Sequence, residues 1–510
     1  MTMLTGLSSR MIRYVPLPAR LSAALTIALA AGACVANRPR AAPPSGPRVA
    51  TDAGIVEGRV DSASGILHFS GIPYAAPPVG ELRWRPPQPV TPWQGVRMAD
   101  RPARNCMQVR VFDDIDAFAA GVSEDCLYLN VWTAATSGTP RPVMVWIHGG
   151  GFFAGFGGEE RHHGARLAQK GAVVVTLNYR LGPLGFLAHP ALSRESPHGV
   201  SGNYALLDQV AALGWVRRNI ARFGGDPARV TIFGESAGAF SVGTLVASPL
   251  ARGLFHGAIL ESGTGMGFSQ SRDVAEGDGV RYAFALGVTG TGPDAAARLR
   301  AIPAETLLAV LQRRPPAVPG GAPGSPRAAL RLAPVVDGWF LPMRPDSAVA
   351  TGAANLVPAI VGSNADESSE IFGAPARALA RTLAARGVPA WLYLFSRAGE
   401  DSASRARGAY HSAEITFVFG RPRPILASAG RAAYDSTLAE AMSDYWVAFA
   451  AGRDPNGPPA AGRLPPWPRY DAATDAALEL GATIVARQGV RRAVYDSLDA
   501  LARQRGELRP

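Results

Sequence analysis

The chain has 510 residues, 47% of them hydrophobic, enough apolar mass for one large α/β domain or two to three ordinary ones and too much for a disordered protein. Its formal charge of +11 comes from 51 basic residues, of which only Lys170 is a lysine, spread among 40 acids along the whole length. A nucleic-acid partner would require clustered basic charge, and these arginines form no cluster, so that class of function is set aside.

The N-terminus carries Arg10, Arg13 and Arg20 without an acid, then the apolar run LSAALTIALAAGAC from Leu21 to Cys34. A charged head before an apolar stretch too short to span a bilayer reads as an export signal over residues 1–33. AAGAC resembles the lipobox of bacterial lipoproteins, in which Cys34 would become the lipidated first residue. Ala31 stands where a leucine is usual, and ordinary cleavage near ALA or AGA fits the same residues. The expected location is outside the cytoplasm: periplasmic, lipid-anchored or extracellular, with membrane contact only through such an anchor. Residues 34–48, with the stretch PRAAPPSGP, read as a stiff Pro-rich tether, and residues 49–510 as the folded domain. Beyond Cys34 only Cys106 and Cys126 remain, an even pair that in an exported chain points to a disulfide. Closing that loop is worth about 3 kcal/mol in the chain-entropy view.

Six Val- and Ile-rich runs follow: PVMVWI (Pro142 to Ile147), AVVVTL (Ala172 to Leu177), RVTIF (Arg229 to Phe233), GAILE (Gly257 to Glu261), VPAIVG (Val357 to Gly362) and AWLYLF (Ala390 to Phe395). They are continuously apolar rather than alternating, which suits strands covered on both faces. Between them, Leu206, Val210, Leu213 and Val216 recur at helical spacing from Tyr204 to Ile220. Strand and helix alternate, so the fold class is α/β in one large domain. Arg313 to Arg327 is rich in proline and glycine and reads as a surface loop. The C-terminal RRAVYDSLDALARQRGELRP has the pattern of a basic amphipathic helix lying on the domain.

Gly234-Glu235-Ser236-Ala237-Gly238 is a weak signal as a bare pattern, but here it leaves the strand RVTIF and enters the helix-compatible AFSVGTLVAS. That is the setting of a nucleophile elbow, where a strained turn lifts a serine oxygen off the sheet end and the glycines let neighbouring backbone pass. The three glycines of WIHGGGFFAGFGG, following a strand, can aim backbone N–H groups at an oxyanion, which makes Gly150, Gly151 and Ala237 candidate donors. No phosphate-loop pattern accompanies them. Among eight histidines, His148 reads as support for the glycine loop, whereas His411 follows the late strand through a loop, as a base would in Ser, acid, His order. Asp366 and Glu367 both lie just past VPAIVG, and spacing does not separate them as the acid.

These segments, with FSGIPYAAPPVGELRW (Phe69 to Trp84), SEDCLYLNVW (Ser123 to Trp132), VVVTLNYRLGPLGFL, ILESGTG, VVDGWFLP, AYHSAEITFVFG and YWVAFAAGRDPNG, resemble type-B carboxylesterases over about Val49 to Tyr470. That family of α/β-hydrolases includes cholinesterases and bacterial para-nitrobenzyl esterases. The resemblance implies the α/β-hydrolase fold, a mostly parallel central sheet with helices on both faces. It also implies Ser236 as nucleophile, His411 as base, Glu367 rather than Asp366 as acid, and an oxyanion hole of Gly150, Gly151 and Ala237. The resemblance likewise pairs Cys106 with Cys126, sets Glu235 beside the nucleophile and matches Ser262 to a buried serine near the triad, although a plain core hydroxyl reads equally well there. The implied partner is a small-molecule ester, turned over through an acyl-enzyme without metal or organic cofactor; the oligomeric state is not legible.

Two departures stand out. The loop MQVRVFDDIDAFAAGVSED has no tryptophan or tyrosine to hold a choline cation, so a choline ester is not expected. Asp113, Asp114 and Asp116 could attract a cation, and Phe112 and Phe118 could line an apolar mouth. Secondly, Glu367 and His411 are separated by far fewer residues than is usual in the family, which predicts a more open pocket admitting bulky or branched esters. Two other readings use the same residues: a catalytically silent binding or adhesion member, and an amidase, carbamate, thioester or lactone hydrolase.

Overall fold

The apolar runs become strands because each buries both of its faces. The computed structural model describes residues 46–110, 115, 120–312, 330–399, 402–420, 436–458 and 460–505. The export segment, Cys34, the tether up to Ser45, the loop from Arg313 to Arg327, and Phe112, Asp113, Asp114, Asp116 and Phe118 lie outside the described residues. The last residues of the stretch expected as tether are part of the fold: Gly46 N–H donates to Glu57 Oε1 (3.0 Å), and Arg48 pairs with the same carboxylate.

Among the described residues eleven strands join in one sheet. In chain order they are β1 (Arg59–Val60), β2 (Leu67–Pro73), β3 (Tyr128–Thr133), β4 (Arg141–Ile147), β5 (Val173–Leu177), β6 (Gly225–Glu235), β7 (Gly257–Glu261), β8 (Ala359–Asn364), β9 (Ala390–Phe395), β10 (Ala476–Leu480) and β11 (Ile484–Gln488). Their spatial order is β11-β10-β9-β8-β7-β6-β4-β5-β3-β2-β1. From β5 to β10 every neighbour pair is parallel, and the antiparallel pairs lie at the two flanks. The six expected runs are β4 to β9. The fifth is shifted to Ala359–Asn364 because Pro358 has no N–H for the ladder and offers only its carbonyl, to Ala258 N–H.

Val145 stands in register with Val175 and Ile232, and successive residues of each strand enter different cores. Val143, Val145 and Ile147 join the core that holds helices α1 (Tyr204–Asn219), α2 (Ala237–Ala247) and α3 (Ala374–Ala385). Met144 and Trp146 join the other, filled by Tyr445, Trp446 and Phe449 of α4 (Ser436–Gly452). This is the α/β-hydrolase arrangement, a mostly parallel sheet with helices on both faces. The stripe expected on α1 is buried at Leu206, Leu213 and Val216 and partly buried at Val210. The C-terminal segment forms α5 (Arg492–Gln504), which lies against α3. Arg377 of α3 is buried and fastens it, through Asp475 (2.9 Å) and Asp496 of α5 (2.6 Å).

Candidate active site

Ser236 sits between β6 and α2 with φ 56° and ψ −122°, a conformation L-residues rarely adopt. Neighbouring backbone forces it there. A Cβ on Gly234 would come within 2.6 Å of the Ile147 carbonyl oxygen, and one on Gly238 would collide with that same oxygen, so β6 and α2 approach β4 only with glycine on both sides of the serine. Ser236 N–H is spent on the Glu261 carbonyl (3.0 Å), which fixes the turn to the end of β7.

The acid and base arrive from the next strands. β8 ends at Asn364, whose N–H donates to Glu367 Oε1 (2.7 Å), while Glu367 Oε2 lies 2.7 Å from His411 Nδ1. His411 Nε2 is 2.9 Å from Ser236 Oγ. The structure thus brings Ser236, His411 and Glu367 into one line. Asp366 points elsewhere: its Oδ2 accepts Ala409 N–H (2.7 Å) and tethers the histidine's loop to the acid's.

Glu235 Oε1 lies 3.1 Å from His411 Nε2, so that nitrogen faces a second carboxylate as well as the serine, and Ser412 donates to the same oxygen (2.7 Å). Burial alone would push the imidazole down, but Glu235 and Glu367 on its two sides outweigh burial and hold it up at about 9. Burial raises Glu235. Glu414, one helical turn after His411, is pushed up to about 8 by burial and by Glu235 and Glu367, and it accepts Asn364 Nδ2 (2.5 Å). Ser262 is fully buried and its hydroxyl donates to Glu414 at 3.5 Å. Glu261 is raised well above the carboxylate range by burial and Glu414, and takes a bond from Trp446 Nε1 (2.7 Å).

Opposite the histidine, Gly150 and Gly151 turn the loop after β4 with φ 100° and 63°. The Gly150 carbonyl accepts Phe153 and Ala154 N–H, whereas the N–H groups of Gly150 and Gly151 find no acceptor among the described residues. Ala237 opens α2, so its N–H is one of the unspent donors at a helix start. His148 underpins this loop: its ring stacks on Tyr179 (4.3 Å between centroids), whose hydroxyl donates to the His148 carbonyl, and burial pushes the imidazole down to about 4. Cys106 and Cys126 are disulfide-bonded with Cα atoms 4.9 Å apart. Two residues on, Gln108 bonds Gly155 through both ends of its amide (2.9 and 3.2 Å), linking the disulfide to the glycine loop.

The rings of Phe152, Phe268, Phe240 and Phe372 follow one another up to His411, with Phe372 stacked on the imidazole at 4.5 Å. The arrangement can therefore deliver a hydroxyl oxygen to a carbonyl, hold negative charge on main-chain amides and seat apolar substituents beside the base. Sequence reasoning passed over Glu414, Ser412 and Phe372. An acid inside the otherwise apolar ITFVFG-bordering turn was the available sign of Glu414; nothing local marks Phe372.

The Carboxylesterase family model matches residues 45–372 and 368–497. Fumonisin B1 esterase of Sphingopyxis macrogoltabida is 39% identical over 479 residues, 82% of this chain and 84% of that one. Para-nitrobenzyl esterase of Bacillus subtilis (strain 168) is 40% identical over 64% of this chain and 63% of its own, and Carboxylesterase 1C of Mus musculus 32% over 86% and 90%. The crystal structure of the Geobacillus stearothermophilus carboxylesterase at pH 6.2 superposes with a TM-score of 0.73 at 33% identity, covering 88% of this chain and 99% of that one.

Proposed function

The chain belongs to the carboxylesterase family and is a carboxylic ester hydrolase; from that premise we propose that it works through an acyl-enzyme formed on Ser236. His411 takes the hydroxyl proton as Ser236 Oγ attacks the ester carbonyl, and the N–H groups of Gly150, Gly151 and Ala237 receive the oxyanion. One such donor is typically worth roughly 100- to 1,000-fold in turnover. His411 then returns the proton to the departing alcohol, and the same imidazole activates the water that releases the acid. Glu367 keeps Nδ1–H in place and offsets the imidazolium charge.

The observation that carries this reading is the unbroken pair of contacts, 2.9 Å from Ser236 Oγ to His411 Nε2 and 2.7 Å from Nδ1 to Glu367. Hydrolysis of para-nitrophenyl acetate by the purified chain, compared with Ser236→Ala, tests it. A fall of at least about a thousandfold is expected, and equal rates would leave only a binding role.

The short separation of 44 positions between Glu367 and His411 supports a pocket open on that side, admitting bulky or branched esters. A series of para-nitrophenyl esters with lengthening and branched acyl groups should keep kcat/KM within about tenfold; a collapse beyond a few carbons rejects the open pocket. Export, with Cys34 as a lipid-bearing first residue, is supported by the arginines and apolar run before it. Labelling of the expressed chain with a palmitate analogue, lost in Cys34→Ala, is the expected result.

A further inference from the structure

The segment that carries Glu367 is gripped from outside by the C-terminal part of the chain. Arg491, immediately before α5, has φ 54°, a left-handed conformation that a residue with a side chain keeps only where its surroundings hold it. Its Nη2 donates to the Ala365 carbonyl (2.5 Å) and its Nη1 to Ser369 Oγ (3.3 Å). Those acceptors stand two residues before and two residues after Glu367, so one guanidinium spans the acid's turn. Further along α5, buried Tyr495 lies against Gly373, where a Cβ would come within 2.5 Å of the phenol oxygen. At the far end Arg505 pairs with Glu370 (2.7 Å).

We propose that Arg491 is a positioning residue for the reaction, acting through Glu367: its planar fork fixes the Ala365–Ser369 turn so that the carboxylate stays on His411 Nδ1. The inference rests on the triad reading above. Arginine suits the task because two donors sit in a rigid plane and reach two acceptors at once, whereas lysine offers a single point charge. Within the short interval between Glu367 and His411 the turn is held by Ala409, on the Asp366 side chain and N–H, and by the Phe395 carbonyl, which accepts Ala365 N–H; Arg491 adds a grip on both flanks of the acid from a segment more than a hundred residues later. Contacts within the turn, from Asn364 N–H to Glu367 and from Ile371 N–H to Ser368 Oγ, orient it locally but do not by themselves tie it to the rest of the domain.

A double-mutant cycle on the full chain, with para-nitrophenyl acetate, decides the matter. Arg491→Ala should lower kcat roughly ten- to a hundredfold, the cost of a small misplacement of a catalytic group, with KM changed by less than about twofold. Arg491→Lys should recover only part of the loss. In a Glu367→Ala background, adding Arg491→Ala should cost less than about twofold, since the group it positions is already gone. A single variant within about twofold of the parent, or an equal loss in both backgrounds, overturns the assignment. If Arg491→Ala is recovered unfolded by circular dichroism, Arg491→Gln carries the same cycle. Should Glu367→Ala itself leave kcat unchanged, it is the triad reading that fails.

Discussion

Ser236 and Glu367 leave the same sheet two strands apart, yet they are held in place by opposite means. The serine's turn is fixed by close approach of main chain: Gly234 and Gly238 lie against the Ile147 carbonyl with no room for a carbon atom. The acid and the histidine are fixed by polar fastenings, from Asn364 to Glu367, from Ala409 to Asp366 and from Arg491 to Ala365 and Ser369. Contact of the first kind is all-or-none and indifferent to pH, because interiors are packed at crystal density. Polar fastenings give way by degrees, each contributing of order 1 kcal/mol, and they respond to the charge around them.

The largest effect should come from breaking the close-packed side. Gly238→Ala drives a methyl group into the Ile147 carbonyl and should destabilise the fold by about 4 kcal/mol or more, or prevent folding. A urea midpoint within error of the parent's would show that α2 can shift and that the contrast is false. Next, replacing Cys106 and Cys126 together by serine should cost about 3 kcal/mol in guanidinium unfolding, and a loss under about 1 kcal/mol would mean that the glycine loop is secured without the bridge. On the polar side, Asp366→Ala removes the side-chain half of the Ala409 tether, leaving the bond from its own N–H to the Ala409 carbonyl, and should cost roughly 1 kcal/mol while reducing kcat severalfold; a loss as large as that of Gly238→Ala would place both sides in one class.

The mildest change should be one of pH alone. Only neutral His411 serves as base, and its value is held up at about 9, so kcat/KM should climb with pH through the mildly alkaline range and level off above about 9. Glu235→Gln removes the strongest of the influences that raise it, so the acid limb of the profile should move to lower pH, toward the ordinary histidine value. An unmoved limb would show that the second carboxylate beside Nε2 has no hold on the base.

This division also explains what the sequence disclosed. The strands β4 to β9 were legible because burial on both faces writes an uninterrupted Val and Ile run, and β7 and β9 match their expected limits at Gly257–Glu261 and Ala390–Phe395. β1 and β11 were not, because at the flanks residues such as Arg59, Val60, Arg487 and Gln488 face solvent and leave no apolar run, and β2, β3 and β10 were not, because although largely buried their runs are broken by polar residues such as His68, Asn130 and Glu479. The elbow could be read from a strand, two glycines and a helix in direct succession. The choice between Asp366 and Glu367 could not, since adjacent residues leave a strand in opposite directions and only the position of His411 distinguishes them. Arg491 was out of reach for a different reason: its partners are 122 and 126 positions away, and no local pattern marks an arginine whose task is to hold a distant turn.

The sheet's division of its side chains into two separate cores bears on how the enzyme can change. Val145 and Ile259 belong to different cores and share no side-chain neighbour, so the costs of trimming each should simply sum. Val145 and Val175, side by side on one face, should instead compensate or aggravate each other. A change beneath α4 therefore needs no compensating change beneath α1, and the two faces of the sheet can be altered independently.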